Sequence, residues 1–155
     1  QRYAQRKVWM LFGICSFIVL NKSGQLTEEE YIVMKSHTLI GASMLARLDH
    51  YRDEKLARTA YQICRWHHER YDGGGYPDGL KGEEIPIAAQ VVSIADAYDA
   101  LISPRVYKEG FSHEQAMQMI RNGECGAFNP LLIECLEDSQ SRIRYLASMT
   151  AERFS

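Results

Sequence analysis

EKLARTAYQICRWHHERYDGGGYPDGLKGEEIP, residues 54–86, is the stretch on which the fold turns. Its first half carries apolar side chains at Leu56, Ala60, Ile63 and Cys64, steps of three and four that mark one face of a helix. His67 extends that stripe, so a helix is expected from about Glu54 to His68, stopping on two histidines. The second half, Glu69 to Pro86, holds Gly73, Gly74, Gly75, Gly79, Gly82, Pro77 and Pro86. That is turn chemistry, with several positions able to adopt positive φ, and it predicts a long and specified loop.

Working outward, Thr27 with Glu30 forms a T-x-x-E capping box, which starts a helix at about Glu28. Val33, His37, Gly41, Met44, Leu45 and Leu48 then fall on one helical face, so His37 is expected to point inward. Downstream of Pro86, Ile87, Val91, Ile94, Ala95, Tyr98, Leu101 and Ile102 share one side of a helix that ends at Pro104. Ser112 and Gln115 open another helix, which should stop near Gly123. Asn129 followed by Pro130 is an N-cap with proline at the first helical position, predicting a last helix to about Ser148. Little alternates with period two. The expected fold class is all-α, about six helices around one core.

Composition bounds the function. The 155 residues are 46% apolar and 25% charged, enough for one domain with a buried core and too few for two. Eighteen basic against twenty acidic side chains leave a net charge of −2, so no electrostatic footprint for DNA is present. Cys15, Cys64, Cys125 and Cys135 lie far apart without metal-ribbon or disulfide-scaffold spacing, which predicts reduced thiols and a cytoplasmic protein. The chain opens on Gln1 and is expected to be a piece of something longer. Arg2, Arg6 and Lys7 precede an apolar run from Val8 to Leu20. No signal-peptide cleavage site follows, and the run is too short to cross a bilayer, so it reads as a buried core segment.

Four chemical residues stand out by position: His37, the pair His67-His68, and Asp96. A lone histidine on an apolar helix face is ordinarily a hydrogen-bonded core residue. Two consecutive histidines at the end of a buried helix are costly to desolvate unless something compensates. A divalent cation does so, since neutral imidazoles bind zinc, iron or manganese and a carboxylate such as Asp96 completes an open site. Spacing alone leaves the ion and the structural alternative both open. Asp96 and Asp99 lie three apart, on nearly one face. Their apolar neighbours imply that at least one is partly buried. Arg105 and Lys108 suit phosphate oxygens by fork geometry and point charge respectively, although surface charges look the same.

With those residues in view, the chain resembles the HD-GYP domains, bacterial metal-dependent phosphodiesterases related to the wider HD phosphohydrolases. His67 to Pro77, HHERYDGGGYP, matches the family's H-H-E-x-x-D-G-x-G-Y-P at every fixed position. The likeness continues through Gly79-Leu80-Lys81-Gly82, Ile85-Pro86, the block Ile94 to Leu101, Arg105, Tyr107-Lys108 and Phe128-Asn129-Pro130. Upstream it includes Leu20-Asn21-Lys22, Leu26-Thr27 and Met34-Lys35-x-His37. The resemblance implies an HD-like helical bundle and places His37, His67, His68 and Asp96 on metal-ligand positions. It places Tyr76, Asp99, Arg105 and Lys108 on substrate-contacting ones. The substrate it implies is cyclic di-GMP, hydrolysed to pGpG or GMP at a two- or three-metal centre. The loop containing Gly73, Gly75 and Pro77 would shape the pocket and offer a surface to GGDEF-type partners.

One departure is large. The family's defining dyad belongs in a segment like L-H-D-I-G-K-I before Leu-Asn-Lys, where this chain reads Val8-Trp9-Met10-Leu11-Phe12. No histidine or aspartate stands there in either plausible register, the catalytic residues are therefore unknown, and the family's first helices are expected to be missing. Gln90 and Asn129 are lesser departures, from arginine and aspartate. Residues 1–18 are thus read as an apolar segment unlike the family, joined by a rearrangement, frame error or junction near residue 18 to an HD-GYP-like domain over residues 19–155. The expectation is a single divalent iron, manganese or zinc ion, with little phosphodiesterase turnover. The alternative is a non-catalytic module that binds a nucleotide or a protein through the loop. A mononucleotide phosphohydrolase is a third reading, disfavoured by the G-Y-P loop. A homodimer through Val8 to Leu20 is also expected, because missing helices would expose apolar surface.

Overall fold

A computed structural model describes residues 26–48, 54–103 and 110–154, with side chains to residue 149. The helices are α1 (Glu28–Lys35), α2 (His37–Ala46), α3 (Lys55–Trp66), α4 (Ile87–Ile102), α5 (His113–Arg121), α6 (Pro130–Asp138) and α7 (Gln140–Phe154), with a 3₁₀ turn at Gly82–Glu84. No strand occurs among the described residues, and the fold is all-α as expected. The residues form two compact units, one ending at Ser93 and one beginning at Ile94. The segment 1–18, the expected dimer contact through Val8 to Leu20, and Arg105 and Lys108 lie outside the described residues.

The three N-terminal signals form as read. Thr27 Oγ1 accepts from Glu30 N while Glu30 Oε2 accepts from Thr27 N. Ser112 and Gln115 make the same reciprocal pair on α5. Asn129 Oδ1 accepts from Leu131 N, with Pro130 opening α6. Each pairing satisfies amides that the first helical turn leaves without partners.

Two expected helices are each divided. The one starting at Glu28 is interrupted at Ser36, where three consecutive side chains take carbonyls from the preceding turn. Ser36 Oγ donates to Val33 O, His37 Nδ1 lies 2.6 Å from Met34 O, and Thr38 Oγ1 donates to Lys35 O. Side chains of this kind compete with the backbone ladder and bend a helix. The break puts Val33, Met44 and Leu48 on exposed surface, whereas His37 and Gly41 are buried as predicted. The helix starting at Pro130 divides at Ser139, whose ψ of −2° departs from the helical value.

Other apolar stripes shift. On α3 the inward face runs through Ala57, Ala60 and Cys64, which leaves Leu56 81% exposed at the first turn. On α4, Ile87, Val91 and Ala95 are exposed, against expectation. Up to Ser93 the buried positions are Ala89, Gln90 and Ser93 instead, and the expected Ile94 is buried after them. Gln90 Nε2 donates to Ile85 O at 2.7 Å, and Ser93 Oγ accepts from Arg70 at 2.7 Å. Hydrogen bonds to the loop, not apolar area, therefore set the rotation of that half-helix.

In the second unit Ile94, Tyr98, Ala116, Met117, Ile120, Phe128 and Leu136 make one buried apolar cluster. The first unit packs α2 on α3 and carries the glycine loop.

Candidate metal centre and glycine loop

His37 opens α2 immediately after the break at Ser36, and His67 and His68 occupy the turn that ends α3. The three imidazoles converge: each offers one nitrogen, and those nitrogens lie within 4.8 Å of one another. Ring centroids are 5.3 Å apart for His37 and His67, 5.0 Å for His37 and His68, and 4.1 Å for His67 and His68. Among the described residues this is the one group of three or more His, Cys, Asp or Glu able to share an ion.

Backbone carbonyls orient two of the rings. His37 Nδ1 lies 2.6 Å from Met34 O, and His67 Nδ1 lies 2.8 Å from Ile63 O. A carbonyl can only accept, so both Nδ1 atoms carry hydrogen, and in the neutral ring each Nε2 then presents a lone pair. Those two Nε2 atoms stand 3.3 Å apart. Two lone pairs facing each other at that distance repel unless a proton or a cation lies between them. Two nitrogens bound to one zinc ion at ~2.0–2.1 Å and a tetrahedral angle would be separated by ~3.3–3.4 Å. The donor set fits a divalent transition metal, and carbonyl-held imidazoles are the usual way such ligands are aimed. Burial, then the neighbouring His67, His37 and Arg70, hold the His68 imidazole far below the ordinary histidine range. It is neutral and able to ligate.

The loop beneath is fixed by one carboxylate. Glu69 is 2% exposed. Its Oε1 accepts from Asp78 N at 2.7 Å and Gly79 N at 3.1 Å, and its Oε2 from Leu80 N at 3.1 Å. These are charge-assisted bonds to backbone donors, and they tie the far side of the loop to the residue that follows the histidine pair. Gly75 closes the near side: a Cβ there would overlap Glu69 Cα and the amide nitrogen of Arg70. Gly73 sits at φ +87°, a conformation that favours glycine. The Tyr76–Pro77 peptide is cis. Tyr76 N donates to His68 O, and the Tyr76 ring lies 4.8 Å from the His68 ring at 31°. Asp78 is held by Arg65, through Nε at 2.7 Å and Nη2 at 2.9 Å, and by Trp66 Nε1 at 2.7 Å. Neither the anchoring role of Glu69 nor that of Asp78 was foreseen. The acidic residue directly after two histidines was the available signal for the first.

The structure thus brings together His37, His67, His68 and Tyr76. Asp96 is half-buried and Asp99 exposed, both on the part of α4 that belongs to the second unit. Asp99 Oδ1 accepts from Ser103 Oγ at 3.3 Å.

The sequence profile of the HD domain family matches residues 10–129, most of the chain. The chain belongs to the HD-GYP branch of the HD domain family. The match begins at residue 10, inside the apolar segment 1–18. A cyclic di-GMP phosphodiesterase of Vibrio cholerae serotype O1 is 46% identical over 117 residues, 75% of this chain and 24% of the relative. A probable cyclic di-GMP phosphodiesterase of the same organism is 42% identical over 118 residues, 75% of this chain and 27% of the relative. The cyclic di-GMP phosphodiesterase response regulator RpfG of Xanthomonas campestris pv. campestris is 38% identical over 128 residues, 83% of this chain and 33% of the relative. The chain therefore spans about a quarter to a third of the length of these relatives.

Proposed function

We propose that this HD-GYP chain is an output domain of cyclic di-GMP signalling, that it holds one divalent iron, manganese or zinc ion on His37, His67 and His68, and that hydrolysis is impaired. The observation that carries the reading is the convergence of the three imidazoles, with the Nε2 atoms of His37 and His67 3.3 Å apart and the neutral His68 beside them. The similarity of the chain to named cyclic di-GMP phosphodiesterases supports the substrate. Asp96 is proposed as a fourth ligand, and Tyr76, Asp99, Arg105 and Lys108 as substrate contacts, on the strength of their motif positions.

A divalent cation in such a site supplies Lewis acidity toward a phosphodiester and acidifies water. The chain's own part is to aim the imidazoles through Met34 O and Ile63 O and to set Tyr76 against His68 through Glu69 and Gly75. The missing histidine-aspartate dyad supports the loss of a paired-metal centre, because the residues that would hold the second ion are absent from positions 8–12. Elemental analysis of protein purified without chelator is expected to find one kind of site, partly occupied by a transition-metal ion and never exceeding one ion per chain. Finding none would overturn the metal assignment. Turnover of cyclic di-GMP with added manganese or iron is expected to be slight, and vigorous hydrolysis would overturn the impairment.

A second reading, a non-catalytic module that binds through the G-Y-P loop, is favoured by the loop's own order. Glu69 fixes it through three backbone amides that owe nothing to the missing dyad. Calorimetric binding of cyclic di-GMP without turnover would select this reading. The proposal extends to a cytoplasmic setting, to GGDEF-type partners at the loop and to self-association. No helix among the described residues is long and apolar enough to cross a membrane. Exposed Ile32, Leu39 and Met44 on α1 and α2 support self-association, and a monodisperse monomer by light scattering would count against it.

A further inference from the structure

We infer that Lys35, clasped between the rings of Tyr31 and Tyr76, is a phosphate-binding residue of the site and takes a phosphodiester oxygen of a bound nucleotide. Tyr31 and Lys35 stand four residues apart on α1, one turn of helix, so their side chains share a face. The Lys35 ammonium lies 4.3 Å from the centroid of the Tyr31 ring and 5.1 Å from that of Tyr76. Both distances are within the range of cation–π attraction. Tyr76 in turn lies against His68, so a single ring separates the ammonium from the histidine cluster. The Tyr76 hydroxyl reaches Met34 Sδ at 3.9 Å, on the last turn of the same helix.

The chemistry of this arrangement is specific. Among the described residues no carboxylate pairs with Lys35, whereas Arg65, Arg121 and Arg144 are each bonded to an acid. Ring faces hold an ammonium in place electrostatically but leave its N–H groups available, since a π-face is a weak acceptor. The side chain is also half-buried, so part of the entropy lost on ordering a lysine is already spent before a ligand arrives. A localised, undischarged cation beside a cluster suited to a divalent ion calls for an anionic ligand with more than one charge. A cyclic dinucleotide, with one negative charge on each of its two phosphodiester groups, meets that requirement, and the exposed Tyr31 ring offers a face to an adjoining base. A purely structural role is the alternative, because Lys35 lies in the last turn of α1 and complements its dipole.

This inference rests on the nucleotide-binding reading above, and the test separates the two. Calorimetry on the full chain, with metal content measured on each sample, compares wild type, Lys35→Met and Lys35→Arg for cyclic di-GMP and for GMP. Methionine keeps the aliphatic stem and removes the charge. Lys35→Met is expected to weaken cyclic di-GMP binding about tenfold to a hundredfold, as loss of a charge-assisted hydrogen bond does. Metal content should stay unchanged and the salt dependence of binding should become shallower. Lys35→Arg should restore affinity to within about threefold, as retention of that bond predicts. If Lys35→Met binds as wild type does, with only a lowered melting temperature, Lys35 is a dipole partner and the inference falls while the nucleotide reading stands. If wild-type protein binds neither nucleotide, both fall.

Discussion

The two units of this chain are ordered by different forces. In the second, Ile94, Ala116, Met117, Ile120, Phe128 and Leu136 form a continuous apolar core, with Tyr98 as its polar-tipped member hydrogen-bonded to His113 at 2.8 Å. Among the described residues of the first, the buried ones are largely polar: His37, Thr38, Glu69, Gln90 and Ser93, beside small or single apolar residues such as Ala42, Cys64, Ile85 and Ala89. A core of the first kind is stabilised by area removed from water and tolerates exchange of one hydrocarbon for another. A core of the second kind depends on every donor and acceptor being met, and no buried side-chain polar atom among the described residues lacks a partner. The apolar unit therefore resembles a scaffold, and the polar unit a site whose geometry is specified bond by bond.

The sharpest test of this contrast is a cavity in the apolar unit. Ile120 is 1% exposed, and Ile120→Ala is expected to cost about 3–4 kcal/mol through lost transfer energy and an unfilled void. The melting temperature should fall by many degrees, yet metal bound per folded chain should not change. Loss of metal from the folded Ile120→Ala protein would break the contrast, by showing that the apolar core sets the histidine geometry.

The converse change falls on the polar unit. At Gly75 a methyl group would meet backbone atoms of Glu69 and Arg70, which cannot move aside as a flexible side chain does. Gly75→Ala is expected to cost about 2–3 kcal/mol, the upper range for forced overpacking. It should also displace Tyr76 from His68 and lower metal affinity at a temperature where the protein remains folded. Unchanged metal binding in folded Gly75→Ala protein would show that the loop is independent of the histidine cluster.

The same contrast explains what could be read in advance. Helix starts were legible at Thr27, Ser112 and Asn129 because a cap is a local contract between residues two or three apart. The inward direction of His37 and the end of α3 near the histidine pair were legible from periodicity. The break at Ser36 was not, since three side chains there outcompete the ladder for carbonyls in a way that no hydrophobic count registers. Nor was the exposure of Ile87 and Val91, which follows from Gln90 and Ser93 satisfying groups in the loop. Candidate ligands could be named from the residue motif, but the carbonyls that aim them, Met34 O and Ile63 O, belong to the backbone and leave no mark in residue identity. Glu69 likewise acts on amides nine to eleven positions away, beyond the reach of a local rule.

The smallest expected effect probes how far the polar unit depends on its rim. The side-chain hydrogen bond from Arg65, opposed by desolvation and assisted by Trp66, lowers the Asp78 carboxyl below its ordinary 3.8. A carboxyl whose folded pKa is depressed adds stability that is complete above its unfolded value. That stability is lost as the pH falls through the lower folded value. The window here thus lies at and below pH 3.8. Arg65 and Asp78 are about a quarter and a third exposed, so solvent screening limits the contribution to about 1 kcal/mol or less. Trp66 Nε1 donates to the same carboxylate, which makes its fluorescence a direct reporter. In a Trp9→Phe background the emission of Trp66 is expected to hold constant from neutral pH to about 4 and to change only in the window below. Asp78→Asn should abolish that step while shifting the melting temperature by only a few degrees. A transition of Trp66 centred well above 3.8 would mean that the Arg65–Asp78 pair does not govern this edge of the loop, and that the buried Glu69 carries its order alone.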